Sequence, residues 1–135
     1  MVESLPTARA RPLSPHVQVW RWHVTLVASI LHRATGLGLY LGLLLVAGWA
    51  LALASGAEAY SDYTGVLGSI PGKIVLAGIT VCLFFHMANG VRHLVWDFGK
   101  GFKPATANVT AWGAFAFAIV AAAALWIVLA LKGAL

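Results

Sequence analysis

The stretch FFHMANGVRHLVWDFGK, residues 84–100, sets two histidines, an arginine and an aspartate into an otherwise apolar segment. Ionisable groups are costly at membrane depth, so in such a segment they mark a site. His86, Gly90 and His93 stand at i, i+4 and i+7, on one face of a helix. An imidazole with a glycine one turn away offers a ring nitrogen and a flat gap to a planar cofactor. That points to His86 as a ligand of haem b iron. The bland alternative is a histidine bonded to a neighbouring helix, and close helix packing accounts for Gly90 equally well.

His86 and His93 project from the same face, so they cannot approach one iron from opposite sides. His23 and His32, on or before the first apolar stretch, read as too shallow to face His86 across one porphyrin. A second ligand is therefore expected from a different subunit. Arg92 and His93 sit up to ~10 Å closer to the surface than His86, at 1.5 Å per residue. That suits the carboxylate arms of a haem. Snorkelling to lipid phosphates is the other reading for Arg92. Asp97, at i+4 from His93, could pair with Arg92 or His93 or cap the turn. Cys82 is the only cysteine. It excludes an internal disulfide, lacks the Cys-x-x-Cys-His pattern of covalent haem attachment, and reads as a packing residue.

A second constellation lies at the start of the first apolar stretch. Ser29 and Arg33 are i, i+4 and Ser29 and His32 are i, i+3, so one helix face carries a hydroxyl, an imidazole and a guanidinium. With Trp22, Leu26 and Ile30 beside them, they suit a ligand with a carbonyl and a greasy tail, such as a quinone. The structural alternative is an interfacial arginine with a back-bonding serine.

The elements that must position these groups follow from composition. The 135 residues are 61% hydrophobic, with a mean hydropathy of +0.87, beyond the range of soluble domains. A bilayer-spanning helix needs ~20 apolar residues. Stretches at about 27–54, 70–96 and 109–131 qualify. The expected fold is an all-α membrane protein, one domain over 1–135: a polar arm over 1–26 and three transmembrane helices within a heteromeric bundle. Gly36, Gly38 and Gly42 predict tight helix packing in the first span, within the chain or against a partner chain. No room remains for a soluble catalytic domain or for nucleotide binding, and without an internal repeat there is no alternating-access pair for a transporter. The arm, with Arg9, Arg11 and several prolines, has no apolar core of the signal-peptide kind. Its Arg-Pro-Leu-Ser-Pro-His run (11–16) reads as extended or turn-like.

The net charge of +5 is unevenly placed. Arg9, Arg11, Arg21 and Arg33 precede or open the first span, and Arg92, Lys100 and Lys103 flank the link between spans two and three. Only Lys73 and Lys132 lie at the other side, with Glu58 and Asp62. The positive-inside rule then puts the N-terminus and the 97–108 loop in the cytoplasm and the 55–70 loop and C-terminus outside. Basic residues split by membrane spans give no support to nucleic-acid binding.

Taken together, Arg-Pro-Leu-Ser-Pro-His (11–16), Ser-Ile-Leu-His-Arg-Ala-Thr-Gly (29–36) and His-Met-Ala-Asn-Gly-Val-Arg-His-Leu-Val-Trp-Asp-Phe-Gly-Lys-Gly (86–101) resemble the cytochrome b subunit of succinate dehydrogenase, mitochondrial and alphaproteobacterial type. The third span matches only in being apolar. The resemblance implies a membrane anchor of respiratory complex II, functioning in electron transport and the tricarboxylic acid cycle. A flavoprotein with FAD oxidises succinate there, an iron–sulfur subunit relays electrons, and two anchor subunits hold haem b and reduce ubiquinone. By the same resemblance His86 is the axial ligand, and Ser29 and Arg33 belong to the quinone pocket. Trp22, Leu26 and Ile30 take its lining positions, and His32, Arg92 and His93 lie near the haem propionates. Leu26 departs from the methionine common in mitochondrial members. The lack of a long Arg- and Ser-rich transit segment favours a bacterial inner membrane. The competing readings are the anchor of a quinol:fumarate reductase and a structural anchor without cofactor.

Overall fold

The computed structural model describes residues 20–133. The Arg11–His16 motif and most of the expected arm lie outside them. Four helices follow one another: α1 (Val24–Ser55), α2 (Ala57–Gly68), α3 (Ile70–Asp97) and α4 (Pro104–Leu131). α1, α3 and α4 are long and apolar enough to cross a membrane, and no strand occurs among the described residues. The expected all-α membrane protein with three spans is what forms.

Local sequence sets the helix ends. Gly56 at φ 113° occupies a region closed to other residues, and it separates α1 from α2. The Ser69 hydroxyl caps α3 by accepting from the Gly72 amide at 3.3 Å, and Pro71 sits in its first turn, where no amide is needed. Gly99, at φ 73°, ends α3; its amide reaches the Trp96 carbonyl at 2.8 Å and the Lys100 amide the Val95 carbonyl at 3.2 Å. Pro104 opens α4.

Two boundaries and one element differ from the sequence reading. α1 starts at Val24 and α4 at Pro104, earlier than the apolar runs at 27 and 109. Thr106, Asn108 and Thr110 lower the hydropathy there without breaking the helix. The 55–70 segment, expected as a loop, holds the twelve-residue α2. Tyr60, Tyr63 and Leu67 share one face of it at i, i+3 and i+7. The Tyr63 hydroxyl donates to the Leu45 carbonyl of α1 at 2.7 Å, tying α2 to the bundle.

α3 is the central helix, packed on α1 along one side and on α4 along the other. The core is built of small residues: Ala28 from α1 and Ala111, Ala114 and Ala118 from α4 close around Phe85. Without a hydrophobic driving force in lipid, such close backbone approach is what holds helices together. Most large apolar side chains face outward, as a bilayer requires.

Candidate functional site

Antiparallel packing lays the first half of α1 against the second half of α3. Glycines of α1 accept side chains of α3. A Cβ at Gly42 would stand 3.0 Å from Ile79, one at Gly38 3.1 Å from the Cys82 sulfur, and one at Gly36 3.2 Å from His86 Cε1. The expected tight packing of α1 is therefore realised against α3 of the same chain, and Cys82 is a packing residue.

This register brings His86 onto the His32–Thr35 turn. His86 Nδ1 lies 3.1 Å from the His32 carbonyl and 3.2 Å from Thr35 Oγ1. The Thr35 hydroxyl donates to that same carbonyl at 3.0 Å. A carbonyl only accepts, so Nδ1 carries the proton. Nε2 keeps its lone pair, the form in which a histidine binds a metal while its other nitrogen is held by a carbonyl.

The His32 ring stacks on the His86 ring, with centroids 3.9 Å apart and planes at 15°. His32 is thus level with His86, which corrects the expectation that it lies too shallow. Rings in contact leave no gap for a macrocycle, so the two still cannot be opposite ligands of one haem. His32 Nδ1 is buried with no hydrogen-bond partner among the described residues. His93 completes the group, its ring 5.0 Å from that of His32. A Cβ at Gly90 would stand 3.9 Å from His32 Cε1, so the space beside Gly90 borders the His32 imidazole. Among the described residues no cluster of His, Cys, Asp and Glu is arranged to hold a bare metal ion.

Arg92 points elsewhere. It is only 6% exposed and lies between α3 and α4. Its Nε donates to Thr110 Oγ1 at 3.1 Å, its Nη2 to the Ala107 carbonyl at 3.1 Å and its Nη1 to Asn89 Oδ1 at 3.2 Å. The guanidinium also lies over the Trp96 ring, 4.0 Å from its centroid. It neither snorkels nor relies on Asp97. Thr35, Asn89 and Thr110 are the residues that the sequence reading missed.

The Ser29 cluster keeps its helical neighbours but not all its lining. Ser29 and Leu26 are half-buried, while Arg33 and Ile30 are exposed at the same end of α1. Trp22 stacks edge-on against Trp20 at 4.9 Å. It lines a cavity of about 370 Å³ with His23, Val24, Val27, Trp112 and Phe115, which none of Leu26, Ser29, Ile30 and Arg33 lines. Within this chain Trp22 therefore stands apart from the other four.

The described residues thus form a membrane helix bundle with an oriented histidine at one seam and basic residues at the same end. The chain belongs to the succinate dehydrogenase/fumarate reductase transmembrane subunit family, matched over residues 7–125. It is similar to the succinate dehydrogenase cytochrome b556 subunit of Rickettsia felis, 32% identical over 117 residues covering 87% of this chain and 91% of that protein. The cytochrome b556 subunit of Paracoccus denitrificans is 35% identical over 112 residues, 83% of this chain and 86% of its own. The mitochondrial cytochrome b560 subunit of Sus scrofa is 42% identical over 93 residues, 67% of this chain and 55% of its own.

Proposed function

We propose that the chain is the cytochrome b anchor of a succinate:quinone oxidoreductase in a bacterial inner membrane. In this reading it holds haem b on His86 at the interface with a second anchor subunit and forms part of the ubiquinone-reduction site. The carrying observation is the hydrogen bond of His86 Nδ1 to the His32 carbonyl, which leaves Nε2 as the ligating atom. The seam fits such a group in two further ways: His32 Nδ1 is buried without a partner among the described residues, and the His32 ring, stacked on His86, would leave any second ligand to another chain. Haem, when bound, supplies a one-electron carrier inside the membrane.

The work of this chain's own residues follows from their placement. The carbonyl of His32 and the hydroxyl of Thr35 fix the His86 ring so that it needs no reorganisation to ligate. Arg33 places a permanent cation, and Ser29 a hydroxyl, at the end of α1 where a quinone head group enters from lipid. Arg33 polarises a quinone carbonyl and stabilises the negative charge that develops on its oxygen. Ser29 donates a hydrogen bond to a carbonyl oxygen. Succinate oxidation, with FAD, and the iron–sulfur relay belong to two partner subunits, docked on the cytoplasmic side beside the N-terminus and the 97–108 loop. The C-terminus is periplasmic.

His86→Ala should lower haem content or turn the iron high-spin in the purified complex. An unchanged low-spin spectrum in an assembled, haem-loaded variant would refute the ligand assignment. Ser29→Ala removes one neutral hydrogen bond, typically ~0.5–1.5 kcal/mol; Arg33→Leu should cost more, because a charge is lost. Both should keep succinate oxidation with a soluble artificial acceptor and lose ubiquinone reduction, Arg33→Leu the more severely. Wild-type ubiquinone kinetics in both would remove the site from this face.

A further inference from the structure

Arg92 and Asn89 are the buried polar and charged side chains of the described bundle, and neither is explained by the haem or quinone reading. Their hydrogen bonds form a chain whose direction is fixed by chemistry. Arginine has donors and no acceptor, so the Asn89 atom facing Arg92 Nη1 at 3.2 Å must be Oδ1. That turns Nδ2 of Asn89 towards His93 Nε2, at 3.4 Å. An amide nitrogen only donates, so His93 Nε2 must present its lone pair. The proton of the neutral ring then resides on Nδ1.

The start of this chain cannot reverse or rotate away. Thr110 gives its own proton to the Ala107 carbonyl at 3.2 Å and so accepts from Arg92 Nε. The Ala107 carbonyl holds Nη2, and the Trp96 face holds the guanidinium plane. Asn89 is fully buried, so no water competes for its amide.

We propose that Arg92 is a positioning residue for His93: acting through Asn89 across the α3–α4 seam, it fixes the His93 proton on Nδ1. His93 thereby offers a hydrogen-bond donor, suited to a carboxylate, in the group it forms with His32 and His86. The use of that donor by a haem carboxylate rests on the haem reading above; the tautomer itself does not. The role differs from direct contact, because Arg92 faces α4 while His93 faces His32.

The test is nitrogen-15 NMR of the intact complex with labelled histidine, the His93 signal being assigned by its loss in His93→Gln. The wild type should show Nδ1 protonated in a roughly fivefold or greater excess, the weight that one net hydrogen bond carries. Arg92→Lys, which keeps a donor-only cation, should preserve that pattern. Asn89→Asp replaces the amide donor by an acceptor and should move the proton to Nε2, while the haem spectrum of the complex stays that of the wild type. Asn89→Leu, in case the aspartate variant does not assemble, should abolish the excess. A wild-type ring protonated on Nε2, or a pattern unchanged in Asn89→Asp, Asn89→Leu or Arg92→Leu, would overturn the proposal. Failure of the haem reading shows separately, in the spectrum of His86→Ala.

Discussion

The two sides of α3 solve different problems. Towards α4, alanines meet phenylalanines, and the guanidinium of Arg92 has partners on Asn89, Ala107 and Thr110. Towards α1, glycines meet histidine, cysteine and isoleucine, and His32 Nδ1 has no partner among the described residues. Buried polar groups are normally paired, so an unpaired one needs an explanation. A seam whose polar groups are satisfied inside the chain holds the fold. The other seam keeps a spare lone pair on His86 and an unpaired nitrogen on His32, and on the proposed reading it is the one that meets the haem.

Breaking the α4 side should have the largest effect. Arg92→Leu leaves Asn89 Oδ1 buried without its donor and removes the link to α4, at about 1–3 kcal/mol for each group left unpaired. Thermal unfolding of the detergent-purified complex should show a lower Tm, and the complex should assemble poorly. An unaltered Tm would mean that the Arg92 network is not what secures this seam. Ala118→Leu comes next. Ala118 is 2% exposed within the core, and overpacking a closed contact costs about 1–3 kcal/mol. It should lower the Tm without touching any histidine, so a haem spectrum that changed before stability did would blur the division between the seams. Gly36→Ala is the mildest. Its Cβ would meet His86 Cε1 at 3.2 Å, so the ring must yield by a few tenths of an ångström. The expected result is full assembly and haem content with a displaced absorption band. A Tm loss equal to that of Ala118→Leu would show that the α1 seam is a packing surface like the other.

How far the sequence discloses these seams depends on what each feature obeys. The three spans are legible because hydropathy is additive along the chain, and α2 is not, because its signal is a period of three and four in a polar stretch. His86 stands out in sequence for its chemistry. The level of His32 does not, since it depends on the register between helices, and Gly36 sets that register by admitting the His86 ring. Arg92 is a different lesson. It and His93 are adjacent, and adjacent residues on a helix point about 100° apart. One of them was therefore bound to leave the histidine face, a conclusion available from spacing alone. Ser29 and Arg33 keep their predicted spacing, but Trp22 lies before the helix begins and is oriented by Trp20 and α4, which spacing cannot foretell.

The pairing of Arg92 also has a consequence in time. Its acceptors on α4, the Ala107 carbonyl and Thr110 Oγ1, belong to chain that is synthesised after it. While α3 is emerging, Arg92 has only Asn89 and the Trp96 ring on its own helix to hold it, and an unaccompanied charge is costly in lipid. α4, the most apolar of the three spans, brings both the missing acceptors and the strongest tendency to enter the bilayer. The partners of Arg92 are thus complete only once α4 has packed on α3.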